Sequence, residues 1–212
     1  MSVTAKICGL STPDTLDAAI IGGASHVGFV FFPPSPRHVT LDQATALAAL
    51  VPTHVQRVGV FVDPEDALLD PAVAAGQLDA IQLHRVTPER AAAIGRRTGL
   101  PVWVAVAVKT RADLDIVNAL RGVVQRVLYD AKVPADAKLP GGMGMRFDWK
   151  LLDGFNHPLP WALSGGLGPM NVTEAVGITG ARLVDVSSGV ESAPGVKDVA
   201  KIKAFLGTIA RL

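Results

Sequence analysis

Leu100-Pro101-Val102-Trp103-Val104-Ala105-Val106-Ala107-Val108 is the longest uninterrupted apolar run in the chain. It falls well short of the ~20 residues needed to span a bilayer. A short valine-rich run without polar alternation suits a strand buried on both faces of a parallel sheet. Sequence with helical patterning flanks it on either side, Pro88 to Thr98 before and Ala112 to Leu120 after. The local unit is therefore helix, buried strand, helix.

Working outward, eight strand-like runs begin near Ala5, His26, Arg57, Ala80, Val102, Arg126, Trp161 and Leu183, spaced roughly 21 to 35 residues apart. That is the size of a βα unit. Further helical patterns cover Thr12 to Ile21, Leu41 to Leu50, Pro64 to Ala75, Pro169 to Ile178 and Lys197 to Ile209. Pro13, Pro88 and Pro169 fall at early helical positions, where a missing N–H costs nothing. The sixth unit is irregular: Asp130 to Met145 is rich in proline, glycine and lysine, and only a short helix around Asp148 to Leu152 is expected. A long loop of this kind is usually functional. Alternating strands and helices predict a parallel α/β sheet. Eight units predict a closed (β/α)8 TIM barrel, one catalytic domain over residues 1–212, rather than an open sheet of five or six strands. The L-x-x-L-x-L signature of a leucine-rich solenoid is absent.

The chain has 212 residues, 49% of them hydrophobic, with a mean hydropathy of +0.35. No membrane span or signal peptide is expected. A net charge of +1 gives no footprint for nucleic acid. The one cysteine, Cys8, forbids an intrachain disulfide and fits a cytoplasmic location. The histidines show no ligand spacing, so no metal is expected.

In such a barrel the active site lies at the C-terminal ends of the strands. Reactive residues gather there: Cys8 after strand one, Arg37 after strand two, His84 at the end of strand four, Asp130 at the end of strand six. Glycine clusters fall in the last three βα loops, at Gly142 and Gly144, at Gly165 and Gly166, and at Ser187, Ser188 and Gly189. Glycine lets backbone N–H groups approach an anion, and loops seven and eight commonly bind phosphate. Lys6 shares a strand face with Cys8, so its ammonium is expected to favour the thiolate. Asp130 is expected to gain a raised pKa from burial and to donate a proton. Pro33, Pro34 and Pro36 stiffen the loop that presents Arg37, a bidentate partner for a carboxylate. Taken singly each residue has a plainer reading: an inert buried thiol, a solvated cap, a surface arginine, a hydrogen-bonded histidine, ordinary turns. Their collection at one mouth favours chemistry.

Several motifs now resemble phosphoribosylanthranilate isomerase along the whole chain. They are Lys6-Ile7-Cys8-Gly9, Gly28-Phe29-Val30-Phe31 leading to Ser35-Pro36-Arg37, Val58-Gly59-Val60-Phe61 and Gln82-Leu83-His84. They continue through Gly141-Gly142-Met143-Gly144 with Phe147-Asp148-Trp149, Leu163-Ser164-Gly165-Gly166-Leu167, and Asp185-Val186-Ser187-Ser188-Gly189-Val190-Glu191 with Pro194-Gly195-Val196-Lys197-Asp198. The resemblance implies the Amadori rearrangement of N-(5-phosphoribosyl)anthranilate in tryptophan biosynthesis. It implies Cys8 as general base, Asp130 as general acid, Arg37 at the anthranilate carboxylate, loops seven and eight at the phosphate, and Asp185 holding the sugar or shaping the pocket. It implies no cofactor, because the protonated imine is itself the electron sink, and a monomer or homodimer acting on a phosphorylated small molecule. Three positions depart from the family pattern: Arg85 where glycine is usual, Met143 where threonine is common, Ser164 where alanine is common. The alternatives are a histidine-pathway or bifunctional sugar isomerase, against which Cys8 counts because those carry aspartate there, and a non-catalytic phosphate-binding barrel.

Overall fold

Each strand of the barrel puts alternate side chains on opposite faces, and the two faces of the eight strands meet different surroundings. The computed structural model describes residues 2–134, 137, 139 and 141–212. Part of the irregular loop predicted between Asp130 and Met145 therefore lies outside the described residues. The order is β1 (Thr4–Cys8), α1 (Pro13–Ile21), β2 (His26–Val30), α2 (Leu41–Ala48), β3 (Gln56–Val62), α3 (Asp66–Ala75), β4 (Ala80–His84) and α4 (Pro88–Thr98). It continues with β5 (Val102–Val108), α5 (Ile116–Leu120), β6 (Arg126–Ala131), β7 (Trp161–Leu163), α6 (Val172–Thr179), β8 (Leu183–Val186), β9 (Glu191–Ala193), β10 (Val196–Lys197) and α7 (Val199–Ile209). The first eight strands pair in parallel, each with the next, and β1 pairs with β8 to close the barrel.

Outward-facing Ile7, Phe29, Phe61, Leu83, Val104, Val127 and Val184 join the helices in one large core. Inward-facing Val58, Ala80, Trp103, Leu128, Ala162 and Leu183 form a separate apolar floor. Burying each valine, leucine, isoleucine or phenylalanine among them contributes about 1.5–3 kcal/mol. Local signals set the helix ends. Thr40 and Gln43 exchange hydrogen bonds in a capping box at α2 (3.2 and 2.9 Å). Thr87 caps the Arg90 N–H at 3.2 Å, with Pro88 opening α4.

The structure corrects several predicted boundaries. Ala112 to Leu120 splits into a 3-10 turn (Arg111–Asp115) and the short α5. The short helix expected around Asp148 is a 3-10 turn, Trp149–Leu152. Helix α6 starts after Pro169, because Asn171 Oδ1 accepts the Gly168 N–H (2.8 Å) and its own N–H returns to the Gly168 carbonyl (3.3 Å), closing a turn around the proline. Lys197 belongs to the antiparallel β9–β10 hairpin rather than to α7. Among the described residues no helix is long and apolar enough to cross a membrane.

Candidate active site

Above the apolar floor the lumen turns polar. Strand register places Lys6 opposite Asp185 across the β1–β8 seam. Their side chains form an ion pair, Nζ to Oδ1 2.8 Å, with essentially no exposure. Ser164 Oγ donates to Asp185 Oδ2 at 3.3 Å. Burial alone would lower the Lys6 pKa, but Asp185 and then Cys8 raise it, so the ammonium keeps its charge. Lys6 lies beneath the cavity rather than in its lining.

Cys8 ends β1 one strand step above this pair and is buried. Its carbonyl accepts the Ser187 Oγ hydroxyl at 3.2 Å. Burial pushes the thiol above its ordinary value; Lys6 and Lys197 pull it down, and Asp185 pushes it further up. The expectation that Lys6 would favour the thiolate thus has the right direction and the wrong outcome. The ammonium already faces a carboxylate at 2.8 Å, and its remaining field is weaker than the desolvation of the sulfur.

Asp130 lies near the C-terminal end of β6 with its Oδ1 accepting the Ala131 N–H at 2.8 Å. Burial, reinforced by the charge of Asp185, raises its pKa to about 7. Two glycines make room for this carboxyl. A Cβ on Gly141 would lie 2.5 Å from Oδ2, and one on Gly165 would lie 3.1 Å from Oδ1. His84 is neutral, its pKa lowered to about 4 by burial and then by Lys6 and Arg85, and its Nε2 lies 3.1 Å from Gln82 Nε2.

Arg37 is buried, not a surface residue. Its Nε and Nη2 form a fork on Glu191 at 2.7 and 2.8 Å, and Nη2 also donates to the Gly142 carbonyl at 2.8 Å. Glu191 in turn accepts from Lys197 Nζ at 2.6 Å, and Lys197 also donates to the Ser187 carbonyl at 2.9 Å. The sequence reading gave no role to Glu191 or Lys197, although both stand in the motif after β8. Only a cluster of opposite charges at a strand end could have pointed to them.

The glycine clusters separate into two groups. Gly142 (φ 70°) abuts the guanidinium, where a Cβ would come within 2.8 Å of Arg37 Nη1. It lies at the arginine end of the cavity. Gly165 (φ 87°) and Gly166 (φ 63°) hold a left-handed turn that Asn171 braces by donating to the Gly166 carbonyl at 2.9 Å. A Cβ on Gly189 would sit 1.8 Å from the Leu167 carbonyl oxygen, so loops seven and eight touch through bare backbone. Among the described residues the N–H groups of Gly165, Gly166, Ser188 and Gly189 donate to no protein acceptor. Such backbone N–H groups suit an anion. Gly189 itself lies behind the lining.

Cys8, Arg37, His84, Asp130, Gly165 and Ser188 line one cavity at the C-terminal ends of the strands, enclosing about 790 Å³ of space open to solvent. Gly142, Gly144, Gly166, Asp185 and Ser187 also line it. Of the departures noted above, Ser164 and Met143 line this cavity too. Arg85 adopts φ 56° and donates to the Ala137 carbonyl at 3.0 Å, tying loop four to loop six. Among the described residues no group of three His, Cys, Asp or Glu side chains is placed to hold a metal ion.

Residues 5–208 match the family model for N-(5′-phosphoribosyl)anthranilate (PRA) isomerase. The N-(5′-phosphoribosyl)anthranilate isomerase of Zymomonas mobilis subsp. pomaceae is 55% identical, with 100% of both chains covered. That of Paramagnetospirillum magneticum is 53% identical over 97% of this chain and 96% of its own. The phosphoribosyl anthranilate isomerase structure from Thermotoga maritima superposes with a TM-score of 0.88 at 36% identity, covering 99% of this chain and 100% of that one. A phosphoribosyl anthranilate isomerase in complex with reduced 1-(o-carboxyphenylamino)-1-deoxyribulose 5-phosphate gives 0.85 at 33% identity, over 99% and 100%.

Proposed function

The chain belongs to the N-(5′-phosphoribosyl)anthranilate isomerase family, and on that premise we propose that Cys8 and Asp130 divide the proton transfers of its reaction. The enzyme converts N-(5′-phosphoribosyl)anthranilate to 1-(2-carboxyphenylamino)-1-deoxyribulose 5-phosphate in tryptophan biosynthesis. One observation carries the assignment: the thiol, the carboxyl with its pKa near 7, and the unpaired amide turn of loop seven face the same cavity.

The Asp130 carboxyl donates its proton to the furanose ring oxygen as the C1–O bond breaks, and the anilino nitrogen lone pair closes the C1=N⁺ bond. Cys8 takes the proton from C2, the C–H electrons flow into the iminium, and the resulting enolamine gains a proton at C1 as its C2 hydroxyl gives one up, leaving the C2 ketone. A positioned acid and base are each worth typically ~10²–10⁴-fold. The active state needs Asp130 protonated and Cys8 ionised. Asp130 titrates near 7 and burial pushes the Cys8 thiol above its ordinary value, so that tautomer is the minor form of the singly protonated pair. The scarcity is offset by basicity, since a thiolate with a raised pKa abstracts a carbon-bound proton more readily.

Arg37 Nη1 meets the anthranilate carboxylate, and the amides of Gly165, Gly166 and Ser188 cradle the phosphate, with the amide of Gly189 behind them. Lys6 and Asp185 hold the electrostatics beneath the sugar, and neutral His84 borders the pocket. Cytoplasmic residence belongs to the same reading. So does a monomer or homodimer, the Thermotoga maritima relative being dimeric.

The test follows the fluorescence of phosphoribosylanthranilate as it is consumed by purified wild type, Cys8→Ala and Asp130→Asn with EDTA present. Wild type turns over; each variant loses kcat by about 10²–10⁴-fold while still binding the reduced product analogue. Near-normal kcat in Cys8→Ala refutes the base assignment.

A further inference from the structure

Glu191 touches no substrate in this mechanism, yet its carboxylate receives hydrogen bonds from Arg37 Nε and Nη2, from Lys197 Nζ and from the Gly195 N–H. The β9–β10 hairpin delivers it. Register sets Lys197 opposite Glu191, and Gly195 turns the hairpin at φ 82°. A Cβ on Gly195 would lie 2.5 Å from the Pro36 carbonyl oxygen, so the hairpin packs directly on the loop that carries Arg37. On the opposite side the arginine stem rests on Gly9, where a Cβ would lie 2.7 Å from Cδ.

The guanidinium is therefore fixed in orientation. Its Nε–H and both Nη2 hydrogens go to Glu191 and the Gly142 carbonyl. Among the described residues none accepts from Nη1, and Arg37 lines the cavity. Glu191 offsets one of the two neighbouring cations, Arg37 and Lys197, leaving a local charge of one positive unit that one anionic group would balance. Burial opposes ionisation of Glu191, but Arg37 and Lys197 hold its pKa below the ordinary carboxylate value, so the fork stays ionic.

We infer that Glu191 is a positioning residue that aims Arg37 Nη1 at the substrate carboxylate and so sets selectivity for the carboxylate-bearing aromatic amine without contacting it. The inference rests on the proposed placement of that carboxylate at Arg37.

The experiment measures Kd for two stable analogues, reduced 1-(2-carboxyphenylamino)-1-deoxyribulose 5-phosphate and the same compound without its carboxyl, on wild type, Glu191→Gln and Glu191→Asp. Thermal unfolding checks that each variant folds, and Glu191→Asp, which keeps the charge, serves if Glu191→Gln does not. Glu191→Gln should weaken the carboxylated analogue about 10-fold and the other less than about 2-fold. With substrate, KM should rise and kcat change little. Equal weakening of both analogues overturns the inference and makes Glu191 merely structural. Unchanged selectivity in the variants, with wild type selective, overturns it while leaving Arg37 at the carboxylate. A wild type that does not distinguish the analogues overturns both.

Discussion

Asparagine in place of Asp130 separates the cost of burying a carboxylate from its chemical use. The folded carboxyl titrates near 7, an unfolded aspartate near 3.9. The folded state holds the proton more tightly. Stability from this group is therefore fully present below about pH 4, falls as pH rises, and is gone above about pH 7. The gap of about 3 pH units at 1.36 kcal/mol each amounts to about 4 kcal/mol of destabilisation at pH 8. Asparagine has the same shape, can still accept the Ala131 N–H, and carries no charge to desolvate. The variant should therefore be more stable than wild type by about 4 kcal/mol at pH 8, about 3 at pH 6 and near zero at pH 4. For a chain of this length that is a rise in Tm of around 10 °C at pH 8. Urea unfolding of both proteins at the three pH values measures the difference directly. A stability difference that is absent at pH 8, or constant across pH, refutes the claim that burial tunes this acid.

Three further outcomes follow from the same geometry. Lys6→Met leaves Asp185 buried without its cation and should cost about 3–5 kcal/mol, read by denaturant unfolding at pH 7.5; a loss under 1 kcal/mol contradicts the pairing. The rate of Cys8 alkylation by iodoacetamide against pH should report a thiol above the ordinary value of about 8.5, while kcat/KM falls off on the acid side near pH 7 through Asp130; a thiol titrating below 7 would reverse the protonation order. Gly189→Ala drives a methyl into the Leu167 carbonyl, so loops seven and eight must part; KM should rise more than 10-fold, with inorganic phosphate losing strength as an inhibitor in parallel.

The barrel was readable because its strands are buried on both faces and its helices carry local start and stop signals. The run Leu100 to Val108 and the Thr87-Pro88 helix start are decided by neighbours in sequence. The misread places are those settled by distant partners or by short turns. Pro169 resembles a helix start until Asn171 closes a turn around it. Val196 and Lys197 are too few to read as a strand until β9 lies beside them. Cys8 and Asp130 stood out because reactive side chains ended apolar strands, and Arg37 because prolines frame it in the loop after strand two. The direction of the Cys8 shift did not, because it is set first by burial of the sulfur in the closed barrel and then by Asp185 meeting Lys6 from 179 positions away. Glu191 escaped notice for the same reason, its partner Arg37 lying 154 positions earlier.

The seam between the first and last strands bears on how the enzyme is born. Cys8 is synthesised well before Asp185 and Lys197, two of the groups that act on its charge. Closing so long a loop comes late and slowly. Until β8 docks on β1 the thiol therefore lies in an open barrel, without Asp185 and Lys197 beside it.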